Sequence, residues 1–319
     1  MTTLQAPLPS GFGAQTSARE ALGSRRLDGV TAIVTGGSAG IGLATTRVLA
    51  EAGATVIVPA RSPDKARAAL AGLARVEVDA LDLSQPVTVD AFAARFLASQ
   101  RPLQILVNNA GIMATPLARD ARGFESQLAT NHLGHFQLTA RLWPALSAAR
   151  GARVVALSSR GHARSGIDFE DPHFQVRPYD KWIAYGQAKT ANALFALALD
   201  ARGAAHGVRA FSVHPGAVLT ELGRDVPKEE LDAIRARLAV QGHTTYKTTE
   251  QGAATSVWCA TSPQLDGKGG VYCEDADIAQ PVPADFAAPQ GVRPWARDPE
   301  QADRLWEMSE QWTGVRFNF

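Results

Sequence analysis

Tyr185 and Lys189 stand four positions apart in DKWIAYGQAK, residues 180–189. On a helix such residues lie one above the other. A free phenol titrates near pH ~10, too high for a base near neutrality. A lysine ammonium one turn away favours the phenolate and lowers that value. The pair therefore suits proton exchange with an oxygen whose charge changes as a hydride reaches or leaves its carbon. Tyr179, Tyr246 and Tyr272 have no lysine at the same spacing. The spacing also occurs on ordinary helix surfaces, so the surrounding elements have to decide.

Those elements alternate. Short β-branched runs at 30–35, 54–60, 75–83, 102–111, 152–159, 208–216 and 269–274 read as strands. Between them lie helical runs: 42–53, 62–73 (Ser62 as N-cap, Pro63 at the first position), 87–100, 121–148 (broken or kinked near Pro144), 185–203 and 248–262. The alternation predicts an α/β fold, a Rossmann-like doubly wound sheet of about seven parallel strands with helices on both faces. In such sheets ligands bind beyond the carboxyl ends of the strands. Tyr185, Lys189 and the motifs below all fall there.

The first strand runs into TGGSAGIG, residues 35–42. Gly36, Gly40 and Gly42 allow a sharp turn and close approach of a pyrophosphate to a helix N-terminus. With this turn, NNAG at 108–111, Asn131, the serine pair 158–159, Tyr185 with Lys189, and HPG at 214–216, the chain resembles the short-chain dehydrogenase/reductase family from about residue 30 to 275. NHLGHF at 131–136 and AYGQAKTAN at 184–192 are most similar to its retinol dehydrogenase and protochlorophyllide reductase-like branch.

The second strand ends at Ala60, followed by Arg61. An acidic residue there would accept from the 2′-hydroxyl of NAD, whereas a guanidinium matches the 2′-phosphate of NADP. Arg61, with Ser38 adding a hydroxyl, therefore predicts NADP(H). Asp64 is assigned to the following helix dipole. The resemblance implies further cofactor contacts: Ile41 in the glycine turn, Asp82 and Leu83 beside the adenine, and Asn109, Ala110 and Gly111 along the nucleotide. It also implies that Pro215, Gly216, Val218 and Thr220 lie at the nicotinamide amide and pyrophosphate, and that Lys189 reaches the ribose hydroxyls. Strand alternation lets only one of Ser158 and Ser159 face the cleft; the resemblance selects Ser159, to polarise a carbonyl. Asn131 is implied to hold a water relaying protons toward Lys189.

These residues predict an oxidoreductase transferring hydride between NADP(H) and a hydrophobic or aromatic aldehyde, ketone or alcohol. The alternatives are a C=C reductase and a non-catalytic NADP-sensing protein; sensors of that kind lose the tyrosine or lysine. The 25 residues between Ser159 and Tyr185 match the retinol dehydrogenase-like branch in length. Phe169, Phe174, Tyr179 and Trp182 form a candidate apolar wall, and 217–246 a substrate lid.

Of 319 residues 45% are hydrophobic, enough for a large core, and 32 basic side chains balance 31 acidic ones. No basic block points to nucleic acid or an anionic membrane, and no run approaches the roughly 18 apolar residues of a membrane span. Cys259 and Cys273 make neither a metal nor a redox spacing, predicting reduced thiols and a cytoplasmic location. His132 and His135 lack a third ligand and CEDAD at 273–277 reads as a solvated turn, so no metal is expected. His214 reads as positional. The expected organisation is an N-terminal arm (1–28, with a short helix), a catalytic domain (29–279) and a C-terminal tail (280–319) packed on the domain or on a partner subunit. In the tail Asp298, Pro299 and Gln301 start a helix with a capping box, and Leu305, Met308 and Trp312 form its apolar stripe. The resemblance implies a homodimer or homotetramer.

Overall fold

The computed structural model describes residues 3–240, 246–288 and 290–319. The chain begins with α1 (Ala18–Leu22), β1 (Thr31–Val34), α2 (Gly40–Glu51), β2 (Thr55–Ala60), α3 (Pro63–Ala69), β3 (Val76–Ala80), α4 (Pro86–Ala98) and β4 (Ile105–Asn108). It continues with α5 (Ser126–Leu128), a π-turn at Ala129–Leu133, α6 (Gly134–Ala148), β5 (Arg153–Leu157), α7 (Lys181–Gly203) and β6 (Arg209–His214). Then follow α8 (Lys228–Val240), α9 (Thr249–Thr261), β7 (Val271–Glu274), β8 (Asp277–Ile278) and α10 (Pro299–Thr313).

The strands pair in the order β3-β2-β1-β4-β5-β6-β7-β8. Seven are parallel, as expected; β8 is an added antiparallel strand. The hairpin to β8 turns on Asp275 and Ala276, both at positive φ (52° and 56°). Such a turn normally announces itself with Asn-Gly or Asp-Gly, and here neither is present, so the eighth strand was not legible. CEDAD forms this turn, and Asp277 accepts from the Leu8 and Ser10 backbone N–H groups of the N-terminal arm. Gln5 bonds both backbone groups of Tyr272, so the arm covers the β7–β8 edge.

The central strands β1 and β4 are buried along their whole length, as strands covered on both faces must be. One face packs against α1, α2 and α9, the other against α4, α6, α7 and α10. The tail lies on its own domain. Trp306 packs on Phe136 with ring centroids 5.1 Å apart, and Phe317 lies 4.5 Å from Trp306. Burying a phenylalanine of this kind contributes about 2–3 kcal/mol. Ala302, Leu305, Trp306 and Ser309 form the buried face of α10, whereas Met308 is only half-buried. Asp298 caps α10, but the Gln301 amide returns to the Asp298 carboxylate rather than to its backbone N–H, so half the box forms. Ser62 precedes α3 without making a side-chain cap bond.

Helix α6 runs unbroken through Pro144. The irregularity lies earlier, in the π-turn that carries Asn131. No described helix is long and apolar enough to cross a membrane. Both cysteines are free and buried.

Candidate active site

The nucleotide end is built from backbone. A Cβ on Gly42 would run into the Gly36 carbonyl oxygen, and one on Gly36 would meet Ala110 Cα at 3.1 Å. The turn is therefore pressed onto the end of β4, and only hydrogen fits at these places. Thr35, at the carboxyl end of β1, joins the two strand ends. Its hydroxyl accepts from the Asn109 and Ala110 N–H groups at 2.9 and 3.0 Å and lies 2.9 Å from His135 Nε2. The Asn109 amide donates back to the Thr35 carbonyl at 2.8 Å. Helix α2 opens at Gly40 with no side-chain cap from Ala39. Its first-turn N–H groups are thus left for an anion. This donor set fits a pyrophosphate.

Segments distant in sequence close the cradle. Thr220 Cγ2 would lie 3.2 Å from a Cβ on Gly40, and Val218 and Ile41 both pack against Gly252. The Pro215–Gly216 turn lies beside Lys247, whose backbone N–H donates to the Ala217 carbonyl at 2.9 Å. His214 is positional: its Nδ1 accepts from the Arg160 N–H at 3.2 Å. Asp82 accepts from Ser84 in a tight turn, and the Leu83 carbonyl abuts Gly134 at the start of α6. Ser38 is half-buried in the glycine turn. Arg61 is exposed just past β2 and has no ion-pair partner among the described residues; Asp64 instead pairs with Arg67 at 2.8 Å.

Helix α7 presents the tyrosine and lysine at the end of β5. Asp180 caps it through the Trp182 and Ile183 N–H groups. Lys189 Nζ donates to the Leu157 carbonyl at 2.9 Å and sits 5.7 Å from the centre of the Tyr185 ring. The serine pair divides as strand alternation requires. The Ser158 hydroxyl turns inward and donates to the Lys189 carbonyl at 2.8 Å, anchoring α7 to β5. Ser159 Oγ accepts from the Gly161 N–H at 3.0 Å and lies on the same side of Gly161 as the Tyr185 ring. A Cβ at Gly161 would touch the Tyr185 ring at 2.8 Å, so a glycine is needed for the loop to lie over it.

Charge at this centre departs from expectation in one respect. Burial pushes Tyr185 up to about 12, and the Ser159 hydrogen bond is what pulls it back down. Lys189 Nζ is aimed at the Leu157 carbonyl. Burial in turn pushes Lys189 down to about 8. In the folded chain desolvation outweighs the expected ammonium effect and favours the neutral phenol. A neutral phenol beside a serine hydroxyl can protonate an oxygen placed between them.

Asn131 is wholly buried. Its side chain accepts from the Ile112 N–H at 2.8 Å and donates to the Ile112 carbonyl at 2.9 Å. The amide is committed as a brace for the loop after β4, which leaves Gly111 facing Asn131 and Lys189. The two helix histidines are structural. His132 Nε2 lies 2.8 Å from Ser309 Oγ of α10, while His135 Nδ1 bonds the Asn131 carbonyl at 2.9 Å. Among the described residues no cluster of three or more His, Cys, Asp or Glu is placed to hold a metal.

The candidate apolar wall divides. Phe174 is buried against Tyr179, and the Tyr179 hydroxyl bonds the buried Glu125 and Gln127. Phe169 packs on the core beneath Arg304 of the tail. Trp182 meets α8, within the segment expected to form a lid: its indole N–H and Lys181 Nζ both donate to Glu230 at 2.6 Å. Leu231 and Met113 line the same side, near Gly223. Residues 241–245 of the expected lid lie outside the described residues. Sequence reading passed over Thr35, His135, Glu230 and Lys247 as site residues. Thr35 heads the glycine motif and was findable there; the others signal nothing locally.

A family profile described as "short chain dehydrogenase" matches residues 30–231. A "Probable oxidoreductase" of Streptomyces lividans is 48% identical over 88% of this chain and 96% of its own. "Retinol dehydrogenase 12" of Mus musculus is 37% identical over 92% of this chain and 89% of its own. The crystal structure of an uncharacterized protein from Mycobacterium Paratuberculosis superposes with a TM-score of 0.75 at 34% identity, covering 95% of this chain and all of that one. With the sheet order, the glycine cradle and the serine–tyrosine–lysine arrangement, these matches establish that the chain is an oxidoreductase of the short-chain dehydrogenase/reductase family, on its retinol dehydrogenase-like side.

Proposed function

We propose that the protein is an NADP(H)-dependent carbonyl reductase or alcohol dehydrogenase acting on a hydrophobic or aromatic aldehyde, ketone or alcohol. The observation that carries this reading is that the Ser159 hydroxyl and the Tyr185 ring meet at Gly161, with the buried Lys189 one helical turn behind the tyrosine. The bound nicotinamide supplies the hydride. Ser159 donates to the substrate carbonyl and orients it. Tyr185 gives its proton to the oxygen as the carbon is reduced, and takes one back in oxidation. Burial keeps the Tyr185 phenol protonated at neutral pH, so it has a proton to give. Lys189 is the one buried cation beside this pair among the described residues, and its Nζ is within reach of ribose hydroxyls near Gly111.

Arg61 supports NADP(H) over NAD(H), since the acidic residue closest in sequence, Asp64, is taken by Arg67. Met113, Leu231 and Trp182 around the cleft favour an apolar substrate, as does the likeness to a protein named for retinol. We propose a homodimer or homotetramer that uses faces other than the α7 surface covered by α10.

The test is NADPH oxidation with a panel of aldehydes, ketones and enones. Tyr185→Phe is expected to lower kcat by about 1,000-fold. Arg61→Ala should weaken NADPH binding about tenfold and leave NADH unchanged. A Tyr185→Phe enzyme of full activity would refute the acid–base assignment, and a saturated C=C product would move the reading to ene reduction.

A further inference from the structure

Ser159 is held from behind by groups that the proposed chemistry does not use. Its carbonyl oxygen accepts from the His162 backbone N–H at 3.0 Å and from the Tyr272 hydroxyl at 3.2 Å. The same oxygen lies 2.8 Å from His162 Nδ1. On the far side of the ring, Nε2 accepts from the Arg293 backbone N–H at 3.2 Å. A backbone N–H only donates, so Nε2 carries the lone pair. The neutral imidazole then keeps its proton on Nδ1, which donates to the Ser159 carbonyl. The Tyr272 oxygen is 3.1 Å from Nδ1 and closes the ring of contacts.

This cluster is itself clamped from three parts of the chain. The Trp295 indole donates to the His162 carbonyl at 2.8 Å, and the Thr190 hydroxyl of α7 reaches the same oxygen at 3.3 Å. On β7 the Gln5 side chain of the N-terminal arm holds both backbone groups of Tyr272. His162 and Tyr272 are 1% and 2% exposed, so neither meets substrate or solvent. Burial pushes His162 down to about 4, which keeps it neutral.

We propose that His162 and Tyr272 are positioning residues that aim the Ser159 hydroxyl, and that the Arg293–Trp295 segment of the tail and Gln5 of the arm lock them in place. The inference rests on the reading of Ser159 as the hydroxyl that orients the substrate carbonyl. The Ser159 peptide is fixed by donors on its carbonyl, while Oγ accepts from the Gly161 N–H, leaving the hydroxyl proton for the cleft. Losing those donors frees the peptide to rotate. A displacement of about 1 Å at a reacting group costs on the order of 100-fold in rate.

A double-mutant cycle on the full-length enzyme tests this. Tyr272→Phe keeps the ring and removes one hydroxyl; kcat should fall about tenfold while the Kd for NADPH, read by fluorescence titration, stays constant. In a Ser159→Ala background the same substitution should cost less than about twofold, because there is no hydroxyl left to aim. His162→Ala should fall further than Tyr272→Phe, and His162→Asn, whose amide N–H sits near the Nδ1 position, should recover part of the loss. Equal costs of Tyr272→Phe in the two backgrounds mean a structural role and overturn the proposal. So does full activity of Tyr272→Phe. Full activity of Ser159→Ala alone removes the reading beneath it, and that single variant tells the two failures apart. If His162→Ala does not fold, the Tyr272 and Ser159 arms decide without it.

Discussion

The two halves of the cleft are made of different material. The nucleotide half is largely backbone: a glycine turn pressed on β4, an uncapped helix start, and Thr35 stitching adjacent strand ends. The carbonyl half is largely side chain. Ser159 is braced by His162 and Tyr272, Trp182 and Lys181 hold Glu230, and Tyr179 reaches Glu125. A phosphate is the same anion on every dinucleotide, so backbone donors in one fixed turn suffice. A substrate carbonyl sits in a cleft whose walls have to be set by particular contacts. A backbone-built half should therefore fail sharply at one atom, and a side-chain-built half should degrade in steps.

The sharpest break is expected at Gly42. An alanine methyl there would occupy the place of the Gly36 carbonyl and would crowd the Asn109 amide. The Gly36 carbonyl is backbone, so the turn itself must move. Gly42→Ala should cost about 3 kcal/mol of stability and lower NADPH affinity by at least about tenfold, since the displaced N–H groups are the anion donors. Thermal melting and NADPH titration read both effects. A variant that melts and binds like the parent would show that the turn is more compliant than its packing indicates.

The same division explains what could be read from sequence. The nucleotide half was legible because its residues act within short segments: the turn at 35–42, the pair at 108–111, the tyrosine and lysine one helical turn apart. Alternation even separated Ser158 from Ser159, and the structure gives each a distinct partner. The carbonyl half was poorly legible because its contacts join residues far apart in the chain, such as His162 with Arg293 or Trp182 with Glu230. No local spacing encodes such a meeting. The eighth strand was missed because Asp275 and Ala276 adopt a left-handed turn without glycine. Of the α10 stripe, Leu305 and Trp312 do pack on the core, but Trp306 takes the central place against Phe136 and Met308 is only half-buried. How deeply Tyr185 and Lys189 are both buried was not legible either, because spacing on a helix says nothing about burial.

A second, smaller effect probes the seam between the halves. His132 lies near the end of the π-turn and His135 near the start of α6; one bonds Ser309 of the tail and the other meets Thr35 of the cradle. Burial pushes His132 down to about 3 and His135 down to about 4. The unfolded chain binds protons on these rings below about pH 6.5, whereas the folded chain does not until far lower. Stability therefore falls as pH drops from 6.5 toward 4, by about 1.4 kcal/mol per ring at pH 5.5. His132→Gln keeps a hydrogen-bonding group near Ser309 and removes one titration. Its melting temperature should decline less than that of the parent between pH 7.5 and 5.5. Parallel curves would mean that His132 is not held neutral against the tail.

The smallest effect is expected at the lid, and there the stepwise failure of the side-chain half can be measured directly. Glu230 is the acceptor through which α8 meets the start of α7, three residues before Tyr185. Its carboxylate is held below the ordinary value, chiefly by the hydrogen bond from Lys181 and then by that from Trp182. Glu230 is half-buried at the surface, and surface pairs of this kind contribute less than about 1 kcal/mol to stability. Glu230→Gln keeps an acceptor for the indole and removes the charge that attracts Lys181. The fold should be unaffected, while the contact of α8 with the start of α7 weakens. Substrate KM should rise about threefold with kcat nearly constant, because that contact adds binding without touching the proton donor. Trp182→Phe should act in the same direction and add to Glu230→Gln, since one removes the indole bond and the other the attraction to Lys181. A kcat that falls with KM unchanged would instead tie Glu230 to the aim of Tyr185 through the first turn of α7, and the two halves of the cleft would then share a rigid element rather than meet at a latch.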